Sequence, residues 1–152
     1  MGDHMGAAVH DLSTGDVVTL NWGARAASLW NLRYRPEAPP GFTAARAVVR
    51  NPSHYTDYQD CKFLGHSGRH DFRPVMLCSG ITGLYGTTIG GVALVDMRTM
   101  APLYEVPLTM RTEELGTLVT KNPMDVALVD GKMRLYFLPD ERQSTLYVYE
   151  VA

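Results

Sequence analysis

The 152-residue chain is poor in nearly everything that would name a chemistry. It has two cysteines and five histidines; the two sulfurs have no second ligand pair clustered beside them, so no zinc site is indicated. Fourteen Lys and Arg against sixteen Asp and Glu give a formal charge of −2. That balance argues against a nucleic-acid partner and against an acidic disordered tail. No apolar run approaches the roughly 20 residues of a membrane-spanning helix, so no membrane partner is expected. The start, MGDHMGAAVHD, lacks the apolar stretch of a secretion signal. Its Gly2-Asp3-His4-Met5 segment resembles the scar of a cleaved tag. Residues 1–5 are therefore read as a tag remnant or disordered start, His4 is set aside, and residues 6–152 are read as one domain.

Helical and loop motifs are equally thin. Only residues 24–32 (ARAASLWNL) and 112–121 (TEELGTLVTK) suit a helix, and Gly116 with the β-branched residues weakens the second. Ser67-Gly68 and Ser79-Gly80 form no nucleophile elbow. The run GITGLYGTTIGG (80–91) lacks the lysine of a phosphate loop and reads as a long, mobile connection between strands. RPEAPPGFT (35–43) reads as a loop.

What fills the chain is short β-structure, and it repeats. Asn51-Pro52 precedes YTDYQDCKFLG, and Asn122-Pro123 precedes MDVALVDGKMRLYFLPD, as in a fold assembled from repeated sheets. AAVHDLST (7–14) turns into DVVTLNW (16–22), and GVALVDMRT (91–99) turns into LYEVPL (103–108). Both turns carry Asp-x-x-Thr, Asp11 with Thr14 and Asp96 with Thr99, whose side chains can bond backbone amides two residues on. Asp130-Gly131 is a hairpin signal between residues 124–131 and 132–138. In STLYVYEVA (144–152), apolar residues alternate with tyrosines, which reads as a strand covered on both faces.

The fold class that follows is all-β: antiparallel four-stranded sheets of β-propeller type, in a partial ring of about two to three blades. Residues 7–22 read as the third and fourth strands of one blade, 54–108 as a complete blade, and 124–151 as the first three strands of another. Propellers close with four to eight blades, so one copy does not complete a ring. Self-association through exposed strand edges is the expected partnership, with residues 16–22 a candidate to donate the missing fourth strand.

Folding residues 61–78 about Arg69 and His70 sets Cys61 opposite Cys78, at the spacing of facing residues on antiparallel strands. A disulfide and a pair of buried thiols both fit that position.

Candidate site residues gather at the start of the inner strand. His54 and Asp57 could pair as base and orienter if the chain bends there. Tyr55, Asp57 and Gln59 share one strand face, and His54, Thr56, Tyr58 and Asp60 share the other. Asn122 and Asp125 hold the matching place in the second repeat. With oxygen donors from other blades they could hold calcium at the axis; no other cofactor is expected. His66, Arg69, His70 and Asp71 read as a solvated loop. Trp22, Trp30, Tyr34 and Phe42 read as packing between blades, or as the lining of a groove.

The stretches NPSHYTDYQDCKFLG, VMLCSGI, LYFLP and STLYVYEV, together with HDLSTGDVVTLNWGARAASLWNL, resemble the DUF6454-type family of uncharacterised, β-propeller-like proteins. The chain looks like the C-terminal half of members about twice its length. The resemblance implies a propeller-like fold, an extracellular or secreted setting and a Cys61–Cys78 disulfide, and it transfers no activity. The function expected is ligand or protein binding. The alternative is a lactonase-like propeller hydrolase using an axial metal or the His54/Asp57 pair.

Overall fold

The computed structural model describes residues 5–21, 26–33, 45–53, 55 and 57–152. Among these residues eleven strands fall into three antiparallel sheets, each following chain order. The first holds β1 (Met5–Asp11), β2 (Asp16–Asn21), β3 (Ala26–Asn31) and β4 (Ala47–Arg50). The second holds β5 (Asp57–Ser67), β6 (Arg73–Leu84), β7 (Thr87–Asp96) and β8 (Pro102–Pro107). The third holds β9 (Met124–Val129), β10 (Lys132–Phe137) and β11 (Tyr147–Glu150). Neighbouring sheets meet through their first strands, β1 beside β5 and β5 beside β9. Four-stranded meanders stacked face to face, with first strands innermost, are the architecture of propeller blades.

Several expectations need correction. Residues 7–21 of the stretch read as 7–22 fall in the first two strands of a complete sheet, not its last two, because residues 26–31 form β3 where a helix seemed available. Val17, Val18 and Thr19 pair along Trp30, Leu29 and Ser28, so partners across the sheet override a weak local preference. It follows that β2, bonded on both edges to β1 and β3, is not available to donate a strand. The second helix candidate yields only a 3-10 turn at Val119–Lys121, preceded by an Arg111–Leu118 bridge. The glycine-rich run is no long connection: β6 and β7 continue through it to a two-residue turn at Tyr85-Gly86. Both turn residues have positive φ (49° and 78°), as a tight hairpin of this hand requires. β1 opens at Met5, inside the stretch set aside as a tag remnant.

Two apolar layers hold the sheets. Ala7, Val9, Val18, Leu20 and Ala27 of the first sheet pack against Tyr58, Cys61, Met76, Cys78, Ala93 and Val95 of the second. On the other side of the second sheet, Leu77, Val92 and Leu108 meet Met124, Leu135 and Phe137 of the third. The second sheet is thus buried on both faces. The third is covered on one only: Leu146 and Val148, on its other face, are exposed, contrary to the two-sided burial their alternation suggested.

Cys61 and Cys78 face each other on β5 and β6 and form a disulfide, with Cα atoms 4.1 Å apart. The Asp-x-x-Thr turns share their chemistry. Asp11 Oδ1 accepts the Ser13 N–H and Asp96 Oδ1 the Arg98 N–H, while the Thr14 and Thr99 hydroxyls accept the Asp16 and Ala101 N–H groups. They sit at different places, however: one joins the first and second strands of its sheet, the other the third and fourth.

Candidate functional site

The inner strand β5 contains two irregularities that decide where its side chains point. Tyr58 pairs with Gly80 and Asp60 with Ser79, leaving Gln59 as an extra residue; Leu64 is extra in the same way. A bulge of this kind resets the two-residue alternation. Tyr58 and Cys61, three apart, both join the first apolar layer, and Asp60 is turned to the opposite side. The simple alternation that placed Tyr58 and Asp60 on one face therefore fails.

Asp60 faces the third sheet and is fully occupied there. Its Oδ1 accepts the Cys61 N–H at 2.8 Å, and its Oδ2 accepts the Met124 N–H at 3.0 Å and lies 3.1 Å from Lys62 Nζ. Beside it an open groove of about 410 Å³ is lined by Asp60, Lys62, Asp125, Tyr136, Leu138 and Leu146. Asp125 is exposed, and its Oδ1 accepts the Val126 N–H at 2.9 Å.

The segment leading into β5 forms a second polar group. Asn51, buried, accepts the Ser53 N–H on Oδ1. The Ser53 hydroxyl accepts the Tyr55 N–H and donates to Glu105. Burial pushes the Tyr58 phenol up, an effect the Ser53 hydroxyl partly offsets, and burial likewise raises Tyr55. The segment fits only because the sheet beneath it is bare. A Cβ on Gly91 would overlap the Tyr55 ring, and one on Gly90 would overlap the Thr120 hydroxyl on the other face. Gly90-Gly91 therefore marks a point where chain crosses the second sheet on both sides.

On the face where the β1–β2 and β5–β6 turns emerge, His66 Nε2 lies 3.0 Å from Oδ2 of the fully buried Asp11. The Phe63 ring meets His66 edge-on. Burial pushes the Asp11 carboxyl up, but hydrogen bonds from Ser13 and Thr14, with His66 beside it, outweigh that and bring its pKa down to about 2. Sequence reading named both residues without joining them, since 55 positions separate them and only sheet stacking brings β1 to β5.

The sequence-derived candidates are scattered by comparison. His54 lies outside the described residues, and of Asp57 the structure describes the backbone, paired with Ile81. Gln59 is the bulge residue. Tyr55 is buried against Gly91. Asn122 donates to the Leu118 and Val119 carbonyls at the 3-10 turn, and so shapes its own loop. Among the described residues no three His, Cys, Asp or Glu side chains converge as a metal centre would require. Trp30 donates to Thr19 on the uncovered face of the first sheet, while Trp22, Tyr34 and Phe42 lie outside the described residues. No helix among the described residues is long and apolar enough to cross a membrane.

Comparison with known proteins gives two findings. The profile of a family described as "Family of unknown function (DUF6454)" matches residues 1–152. The β-propeller domain of Myceliophteria thermophila Cps50 (Swd1) is similar at 10% identity and a TM-score of 0.32, over 96% of this chain and 58% of that one. No curated protein matches.

Proposed function

We propose that this chain, which belongs to the DUF6454 family of unknown function, is a ligand- or protein-binding domain of β-propeller type. The groove beside Asp60 carries this reading. One wall is apolar, from Leu138, Leu146 and the Tyr136 ring, and Asp125 supplies a carboxylate at its rim. Asp60 is held by Lys62 and Met124, so it has no free proton-accepting role. An apolar wall with one exposed acceptor suits a ligand that presents N–H groups beside an apolar body, as an extended polypeptide segment does. The Cys61–Cys78 bridge supports an oxidising, extracytoplasmic setting.

The test uses isotope-labelled protein and short acetylated peptides containing lysine and leucine. Shifts confined to Tyr136, Leu138, Leu146 and Asp125 support the reading. Shifts at His66 and Ser13 instead, or none at the highest soluble peptide concentration, refute it.

The hydrolase alternative draws on a single observation, the His66 imidazole lying 3.0 Å from the buried Asp11 carboxylate, which would favour the protonated ring as an acid. Hydrolysis of activated esters or lactones that is lost in His66→Ala but kept in Asp125→Asn would favour it over binding.

A further inference from the structure

The end of the molecule where the β1–β2, β5–β6 and β7–β8 turns emerge is layered by charge. Its floor is acidic: Asp11, Asp16 and Asp96 are all buried. Asp11 and Asp96 close their own turns, and Asp16 takes the Asn31 side-chain amide at 2.8 Å. Arginines reach onto this floor from outside. Arg33 Nη2 donates to the Ser13 carbonyl at 2.6 Å, and Arg46 and Arg98 lie 3.2 Å and 3.5 Å from the two oxygens of Asp16. Arg73 lies 3.4 Å from Asp96. All four are exposed, as is Arg69 on the β5–β6 turn, where Asp71 is the one exposed carboxylate.

The chain as a whole carries a formal charge of −2, yet positive groups set outside buried negative ones give this end a positive outer potential. Arg33, Arg46 and Arg98 each engage the floor through one nitrogen of a guanidinium that has five N–H donors, so the same group can also donate to an anionic oxygen arriving from solvent.

Three apolar side chains stand among these arginines. Leu12, at the β1–β2 turn, is 83% exposed; Phe72, on the β5–β6 turn, is 75% exposed; and Leu32, next to Arg33, is 52% exposed. Solvated turns ordinarily carry glycine or short polar residues. Phe72 departs furthest from that rule, because it and Asp71 follow one another at φ 55° and 52°, in the left-handed region where a bulky side chain is disfavoured and Asn or Gly would be relaxed. The Phe72 N–H donates to the Ser67 carbonyl at 2.9 Å, and its ring lies against Gly68. The turn therefore holds an aromatic ring in water on a strained backbone, with little packing in return.

We propose that this end of the molecule docks on an anionic lipid surface. Leu12 and Phe72 enter the boundary between headgroups and acyl chains, and the arginines meet lipid phosphates. A surface contact of this kind requires no membrane-spanning segment. A soluble polyanion would engage the arginines and leave Leu12 and Phe72 in water, so the apolar tips favour the lipid. The surface shares no residue with the groove beside Asp60 and stands independently of it.

Flotation of the full chain with vesicles tests this. Equal parts phosphatidylcholine and phosphatidylglycerol should carry the protein upward, phosphatidylcholine alone should not, and added salt should weaken the binding. Arg33→Gln and Arg69→Gln should each weaken it about fivefold, the effect of one cation near a charged membrane. Leu12→Ser and Phe72→Asn should each weaken it about tenfold, with circular dichroism unchanged. Asn suits the left-handed backbone, so the melting temperature of Phe72→Asn should not fall. Tyr85→Ser alters a residue 96% exposed on the β6–β7 turn at the other end, and should bind like the wild type. No binding to the mixed vesicles, equal binding to phosphatidylcholine alone, or a loss in Tyr85→Ser as large as in Phe72→Asn would each overturn the proposal. Binding that survives both apolar substitutions, falls with the arginines and is matched by dextran sulfate would assign the surface to a soluble polyanion, and the lipid reading would fall.

Discussion

Across the seam between the second and third sheets, the Asp60 carboxylate accepts the backbone N–H of Met124 at 3.0 Å. The bond spans 64 positions of sequence and is made possible by the bulge at Gln59, which turns Asp60 outward. Its acceptor is ionised, and Lys62 beside it offsets the cost of partial burial.

Asp60→Ala should therefore destabilise the fold by about 1.5–3 kcal/mol, the range for hydrogen bonds to charged groups. Asp60→Asn keeps an acceptor and should cost less. Urea unfolding measures the difference. Hydrogen exchange locates it: amides of β9 should exchange faster in the alanine variant while those of β6 hold. Equal acceleration in β6 would mean that Asp60 supports the whole fold and not the seam.

Gly91 is required by Tyr55, whose ring occupies the space a side chain would need. Gly91→Ala should cost about 1–3 kcal/mol through overpacking. Combining it with Tyr55→Ala should recover part of that loss, since the two residues share one volume. Thermal melts of the two single variants and the double variant test this; strictly additive losses would show that the crowding is elsewhere.

Much of the architecture was legible because it follows from local chemistry. The two-residue turn at Asp130-Gly131, the Asp-x-x-Thr turns and the facing cysteines are set by residues within one hairpin. Strand phase in the first sheet was not legible. Residues 26–31 carry Ala, Leu and Trp, which suit either regular structure, and only pairing with β2 decides between them. Side-chain direction in β5 failed for a related reason: a bulge adds one residue, and neither Gln59 nor Leu64 marks itself as the extra one. The His66–Asp11 pair was hidden because it depends on how two sheets stack.

Asp11 makes stability depend on acid. Its carboxyl is held at about 2 in the folded chain, against 3.8 for an exposed aspartate. A depressed carboxylate stabilises the fold above its unfolded pKa, and that contribution is lost as pH falls through the folded value. Urea midpoints should thus decline between about pH 4 and pH 2. Asp11→Asn, which cannot titrate, should be less stable at neutral pH and show a shallower decline across the same window. An unchanged slope would assign the acid sensitivity to other carboxylates.

The Cys61–Cys78 bridge ties β5 to β6 in the sheet that both apolar layers share. Its partners lie 17 positions apart, and closing a loop of that size removes enough unfolded-chain entropy to contribute about 3 kcal/mol. Replacing both cysteines with alanine should lower stability by that order. Both cysteines are buried, at 3% and 0% exposure, so a reductant reaches the bridge only when the second sheet opens. Reduction in native buffer should then be slow, and should accelerate with urea in step with unfolding. Thiol labelling after timed exposure to reductant measures the rate. Rapid reduction of a protein whose circular dichroism is unchanged would mean that the inner hairpin opens by itself, without the sheets that flank it.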